Sequence, residues 1–229
     1  MTKPKIAIIG LGKMGSAIAE LARAGSAEVI ASIGDGTAIS RESLCGADVA
    51  LEFTEPSAAP ANIRACVTAG CPVVVGTTGW YEELPAVTRF VEEHGGGLLW
   101  AANFSVGVAA LARIVRDAGR IFAKLPAFDA MIVETHHAAK KDAPSGTARM
   151  LQRGFESGRG QEVPITSVRV GSVPGTHTLI LDGAFEQIRI THEARDRRVF
   201  AEGALLAASW LAGRKGVFTL DDVFSPEER

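Results

Sequence analysis

The chain is poor in the residues that build specialised scaffolds. Only three of its 229 residues are cysteine, Cys45, Cys66 and Cys71, with no C-x-x-C pair among them, so neither a disulfide framework nor a zinc site is indicated. The three thiols read as reduced residues of the core. There is no excess of charge of either sign. With 24 basic against 26 acidic side chains, no global field draws the molecule to nucleic acid or anionic lipid. Long hydrophobic runs are missing too: the greasiest stretch, Ala204 to Ala212, falls far short of the roughly 20 residues that span a bilayer. The start, MTKPK followed by Ile6 to Ile9 and a glycine, has no signal-peptide apolar region, and a cytoplasmic protein is expected. Internal repeats and low-complexity tracts are absent. What remains, 47% hydrophobic against 22% charged residues, is a globular chain with enough core for one large domain or two small ones.

Up to about residue 101 a short apolar run, a turn and a helical stretch alternate. KIAIIG, AEVIASI, ADVALEF, CPVVVG and GGLLWA are near-continuous apolar runs, as parallel strands covered on both faces require. Lys13–Ala24, Ser57–Ala69 and Glu82–His94 have the length of crossover helices, which predicts right-handed βαβ units and a doubly wound sheet. From Phe128 the texture changes, because FDAMIVETH, THTLILDG and EQIRITH alternate apolar and polar residues in the manner of a sheet with one exposed face. Asp182, Gly183 and Ala184 supply a hairpin turn. After Phe200 a helix over Ala201–Leu211 and a short VFTL strand return the chain to the first sheet. The fold class expected is therefore α/β, a Rossmann-like doubly wound parallel sheet in residues 1–105 with 206–229. A second α+β domain with an open mixed or antiparallel sheet is expected over 106–205.

GLGKMG follows the first strand and opens the first helix. Gly10 permits the tight turn, Gly12 lets the backbone approach a pyrophosphate, Gly15 lets helix and strand pack closely, and Leu11, Lys13 and Met14 complete the cradle. The helix N-terminus offers free N–H groups to phosphate, worth about 0.3–1 kcal/mol in dipole terms. Asp35, in the turn after the second strand, is the acid placed to bind ribose hydroxyls, and no arginine follows it to hold a 2′-phosphate; NADH is mildly favoured over NADPH, and both stay open. Gly76, Thr77 and Thr78, and Ala102, Asn103, Phe104 and Ser105, end strands on the same edge and are expected to flank the nicotinamide side of the site.

ETHHAAKKDAPSGTA, beginning at Glu134, is the densest concentration of reactive side chains. His136, His137 and Lys140 place imidazole and ammonium groups in one loop, a set that donates protons and binds anions. Pro144 sets up a helix start at which Ser145, Gly146 and Thr147 offer hydroxyls and unpaired N–H groups, a fit for a carboxylate. Metal binding is not expected, because adjacent histidines do not share a helical face.

This long segment closely resembles the active-site signature of the dihydrodipicolinate reductase family. GLGKMG, GTTG from Gly76, ANFSVGV from Ala102, GTHTLIL and THEARDRRVFAEGALLAASWLAG resemble the same family, so the likeness spans almost the whole chain. The resemblance implies hydride delivery from NADH or NADPH to a cyclic dicarboxylate in lysine and diaminopimelate biosynthesis. It implies His136 as proton donor with Lys140 as its partner, carboxylate binding by His137, Lys140, Ser145, Gly146 and Thr147, and assembly as a homotetramer. The sequence departs from the family pattern in a glycine loop one residue shorter, in the displaced Asp35 and in Phe185 before Glu186. His94, His177 and His192 read as structural residues, Arg195, Arg197 and Arg198 as a solvated turn, and Trp80, Trp100 and Trp210 as core or interface aromatics. Two rivals are a nicotinamide-nucleotide sensor that keeps the cradle without catalysis and an aldehyde dehydrogenase with a covalent thiol. The second lacks a cysteine at the domain junction.

Overall fold

Apolar strands with no polar face must be covered on both sides, and the computed structural model, which describes residues 3–224, gives them that cover. The chain separates into two compact units, one made of the residues up to Phe104 with those from Phe200 onward, the other of Ser105–Val199.

In the first unit the elements run β1 (Lys5–Ile9), α1 (Lys13–Leu21), β2 (Glu28–Ile33), β3 (Val49–Glu52), α2 (Ala59–Thr68), β4 (Val73–Val75), α3 (Leu84–Glu93) and β5 (Gly97–Trp100), with β10 (Gly216–Thr219) added late in the chain. All six strands are parallel, in the order β10-β5-β4-β3-β1-β2. Because β1 lies between β2 and β3, the strand order reverses there, and the loops after β1 and β3 open the crevice where such sheets take ligands. The branched and small strand residues Ala7, Ile9, Ala50, Val73, Val75 and Leu98 pack with Ile63, Val67, Val87 and Val91 of the helices.

All three crossover helices are shorter than the apolar spacing predicts. The first stops at Leu21 and passes into a wider π-type turn over Ala22–Ser26, where Gly25 takes φ 123°, a value that ends helical geometry. The third is preceded by a 3₁₀ turn at Tyr81–Glu83, and Pro85 near the N-terminus of α3 suits a helix start. One cysteine reading is corrected: Cys66 and Cys71 are buried, but Cys45 is exposed, with φ 53°, because it closes the turn before Gly46 instead of entering the core.

The second unit contains α4 (Val106–Phe122), β6 (Asp129–His136), α5 (Gly146–Arg159), β7 (Ile165–Arg169), β8 (Thr176–Asp182) and β9 (Gln187–Glu193). Its sheet is mixed, in the order β7-β6-β8-β9, with β6 parallel to β7 and the other pairs antiparallel. The edge strand β7 is not among the segments that alternation singles out, since ITSVR is only half-buried throughout its inner positions. One sheet face carries Ile132, Leu179 and Leu181 against Leu111, Val115 and Phe122 of α4 and Leu151 and Phe155 of α5. The two helices come close because Gly119 and Gly158 have no side chain: a Cβ on Gly119 would lie 2.3 Å from the Phe155 carbonyl oxygen. A final helix, α6 (Arg198–Leu211), follows this unit.

Candidate active site

In the first unit, the strand ends are tied into a platform. Gly10 donates its N–H to Ile33 O (2.9 Å), Phe53 to Ile9 O (2.9 Å) and Gly76 to Glu52 O (2.9 Å), which fixes the loops after β1, β3 and β4 side by side. The three glycines of the first loop do different work. A Cβ on Gly10 would lie 2.2 Å from Phe53 O, one on Gly15 2.0 Å from Gly10 O, and one on Gly12 would meet nothing within 4 Å. Gly10 and Gly15 thus permit packing, while Gly12 faces open space directly at the N-cap of α1. Helical N–H groups in that first turn have no intrahelical acceptor, so the cradle fits a pyrophosphate.

Leu11, Lys13 and Asp35 are exposed around this space, with Met14 half-buried. The Leu11 side chain reaches to within 3.5 Å of where a Cβ on Gly34 would stand, bringing the first loop beside the turn that holds Asp35. Thr77 is buried: its hydroxyl accepts the Thr54 N–H (2.8 Å) and its carbonyl accepts the Trp80 indole N–H (2.9 Å), so it is a tie between loops. Gly76 gives room for the Phe53 ring, which also tilts against Phe104 at 5.9 Å. Thr78 and Ala102 are exposed and Asn103 is half-buried. A cavity of about 840 Å³ lies at the other end of the strands, lined by Pro4, Asp48, Pro72 and Lys215, each preceding a strand, and takes no part in this cradle.

In the second unit the inner sheet face changes from apolar to titratable along the strands. Residues two apart on a strand share a face, so β6 presents Ile132, then Glu134, then His136, all buried. Register sets Ser167 opposite Glu134 and Arg169 opposite His136 on β7, His177 opposite Glu134 on β8, and His192 opposite His177 on β9. A row of ionisable groups therefore crosses the whole sheet.

Glu134 is the centre of that row. Its carboxylate accepts a short hydrogen bond from His136 Nδ1, two from Arg169 (Nη2 at 2.7 Å and Nη1 at 2.9 Å), and the backbone N–H of Ser145 at 3.2 Å. Burial opposes its ionisation, but the bonds from Arg169, Ser167 and His136 outweigh burial and hold the acid down at about 2. Burial lowers the His136 pKa, Glu134 pulls the other way, and Lys140 and Arg169 add to the lowering. His177 stands edge-on to His136, with ring centres 5.1 Å apart, and burial followed by the charge of His136 pushes it down to about 4.

The loop after β6 closes over this row. Lys140 Nζ donates to Asp142 at 2.7 Å, which lowers the Asp142 pKa, and Arg169 Nη2 also donates to Asp142 O at 2.5 Å. His137 is half-buried at the turn, its carbonyl accepting the Lys140 N–H. Ser145 is the N-cap of α5: its Oγ accepts the Ala148 N–H and meets His177 Nε2, both at 3.2 Å. Gly146 and Thr147 form the first turn, Gly146 exposed and Thr147 half-buried, at a helix start whose dipole suits a carboxylate. Ser105 likewise N-caps α4 and lies 3.4 Å from His192 Nε2, so it belongs to the second unit and not to the loop platform of the first.

Sequence reasoning gave no role to Glu134 or Arg169 and read His177 as a structural residue. The i, i+2 spacing of Glu134 and His136 on a strand was the available signal for the first. Pairing across the sheet, which no local pattern encodes, brings in the other two. Burial pushes the Cys66 thiol up and the Cys71 thiol up to about 11, which leaves neither as a neutral-pH nucleophile. Among the described residues no cluster of histidine, cysteine and carboxylate groups could hold a metal ion, and no helix is long and apolar enough to cross a membrane.

Residues 4–104 match the family described as dihydrodipicolinate reductase, N-terminus, and residues 107–224 the family described as dihydrodipicolinate reductase, C-terminus. A 4-hydroxy-tetrahydrodipicolinate reductase of Christiangramia forsetii is 33% identical over 96% of this chain and 97% of its own length. One from Gluconobacter oxydans is 40% identical over 76% of each chain. The solved dipicolinate-bound dihydrodipicolinate reductase of a Paenisporosarcina species shares the fold at a TM-score of 0.83 and 23% identity, over 97% of this chain and 100% of that one.

Proposed function

Since the chain belongs to the dihydrodipicolinate reductase family, we propose that it reduces a 4-hydroxy-tetrahydrodipicolinate to tetrahydrodipicolinate with NADH or NADPH, in lysine and diaminopimelate biosynthesis. The observation that supports this most directly is in the second unit: a buried imidazole, His136, held by a carboxylate beside a helix start whose first residues suit a second carboxylate ligand. A nucleotide-binding fold alone serves many reactions. A positioned acid next to a helix start that suits an anion supports, within this family, reduction of an anionic, unsaturated substrate.

In this reading Gly10, Leu11, Gly12, Lys13, Met14 and Gly15 hold the pyrophosphate and Asp35 the adenosine ribose. Gly76, Thr77, Thr78, Ala102, Asn103 and Phe104 shape the nicotinamide side, and Ser105 is assigned to α4 capping. A bound reduced nicotinamide supplies the hydride. Gly146 and Thr147 take one carboxylate at the helix start that Ser145 caps and holds in place, while His137 and Lys140 counter the remaining negative charge. His136 delivers the proton that balances the hydride, and the 4-hydroxyl leaves as water. General acid catalysis of this kind contributes typically ~10²- to 10⁴-fold. A reaction drawing on the nicotinamide pool belongs in the cytoplasm. The exposed outer positions of β9 and the fully exposed Phe185 support assembly of copies, as a homotetramer, through the second unit.

The test is oxidation of NADH and of NADPH by the purified protein, with substrate generated in place by the preceding condensing enzyme. Turnover in the wild type, and its loss by about two orders of magnitude or more in His136→Ala and Lys140→Ala, is expected. Nucleotide binding without turnover would replace the reductase with a sensor of the same fold.

A further inference from the structure

Glu134 is fully buried and spends all of its hydrogen-bonding capacity on three different parts of the second unit. It holds the ring of His136 on its own strand, the guanidinium of Arg169 on β7, and the N–H that begins α5 at Ser145. A carboxylate in such a place has a high desolvation cost, and a well-packed apolar residue would fill the same space without it. Structural need alone does not explain the triad of Glu134, His136 and Arg169.

We propose that Glu134 and Arg169 are positioning residues for His136. Glu134 fixes the imidazole with Nδ1 as the hydrogen-bearing nitrogen and leaves Nε2 as the one that exchanges a proton. Arg169 shares the charge of Glu134, so the carboxylate steers the ring without making it too basic to give the proton up. This rests on the reading of His136 as the acid. It goes beyond that reading by dividing the labour between an acid and two residues that never touch substrate.

The geometry supports each half. An acceptor at Nδ1 selects one neutral tautomer, as carboxylates do for histidines elsewhere. The two-pronged bond from Arg169 engages both Glu134 oxygens, and the same guanidinium reaches the Asp142 carbonyl, so the pair is also fastened to the loop that carries Lys140. The groups acting on His136 are Glu134 on its own strand, Arg169 from β7, His177 from β8, and Lys140 with its partner Asp142 from the loop. Of the charges that shift it, Glu134 raises its basicity while Lys140 and Arg169 lower it. Removing Glu134's charge and removing Arg169's charge must therefore move His136 in opposite directions.

The experiment compares pH–rate profiles of wild type, Glu134→Gln and Arg169→Met, with Arg169→Lys as the variant that keeps the charge but loses the fork. Glu134→Gln is expected to lower kcat about 10- to 100-fold and to move the governing pKa down by a unit or more. Arg169→Met is expected to move it up, and Arg169→Lys to restore its position while recovering only part of kcat. A merely structural role predicts lower stability or altered KM with the pKa unmoved, and that outcome overturns the proposal. Should the substituted proteins fail to fold, ¹⁵N NMR of the wild-type imidazoles decides the matter. Protonation at Nδ1 of His136 at neutral pH is expected, and protonation at Nε2 overturns the proposal. The NMR result stands whether or not His136→Ala abolishes turnover, so failure of the reductase reading and failure of this one are separable.

Discussion

Ser145 Oγ lies 3.2 Å from Nε2 of His177 while accepting the N–H of Ala148, so one hydroxyl joins the start of α5 to the His177 ring. Burial keeps the ring neutral, and its Nδ1 is buried with no hydrogen-bond partner among the described residues. His177 is thus a neutral histidine locked between the helix cap and His136.

Acid should destabilise the protein through this residue. The folded pKa of His177, about 4, lies below its ordinary 6.5, so between those values the unfolded chain binds a proton that the folded chain excludes. The contribution is whole above pH 6.5 and is lost as pH falls toward 4, at most about 3 kcal/mol. Glu134 acts lower down: its contribution is whole above its ordinary 4.5 and fades as pH falls toward 2. Thermal melts from pH 7 to pH 4 should show a falling Tm, with a shallower slope in His177→Asn; equal slopes would refute the assignment.

Removing the Ser145 hydroxyl takes away the α5 cap and the contact to His177 together. Ser145→Ala should cost about 1 kcal/mol of stability in chemical denaturation. Its larger effect should be a raised KM for the dicarboxylate, with kcat reduced less. A change confined to kcat would speak against a carboxylate nest at this helix start.

Two glycines of one loop should respond oppositely. Gly12→Ala adds a methyl to open space, so the melt should barely move while NADH affinity, read by fluorescence titration, falls about tenfold, equivalent to about 1.4 kcal/mol. Gly15→Ala drives a Cβ to 2.0 Å from Gly10 O, and should lower Tm by several degrees before any ligand is added. Unchanged NADH binding in Gly12→Ala would move the cradle elsewhere.

Asp35 is exposed at the end of β2, and its replacement should leave the fold alone. In Asp35→Ala, KM for NADH should rise about tenfold, as loss of a charged hydrogen bond to a ribose hydroxyl implies, and KM for NADPH should rise less. Steady-state kinetics with both cofactors checks this.

How much of this could be read along the chain depends on the range of the interactions involved. Strand β1, the GLGKMG turn and α1 are local, since glycine conformations and apolar runs act over a few residues, and their place in a parallel doubly wound sheet follows. The loop from His136 to Thr147 is local too, and its reactive groups were legible as a set. Strand β7 was not, because an edge strand half-open to water carries weak alternation. With β7 unread, Arg169 had no address.

The sequence by itself determined the kinds of element and the glycine turn, and it set His136, His137, Lys140 and Ser145 in one loop, because backbone sterics and apolar period are written in neighbouring residues. Only the tertiary structure decided that Glu134 belongs equally to His136, to Arg169 and to Ser145. Strand register places Arg169 and His177 beside it from 35 and 43 positions away (169 − 134 and 177 − 134), and a buried carboxylate takes its meaning from whichever charges folding brings within hydrogen-bond reach.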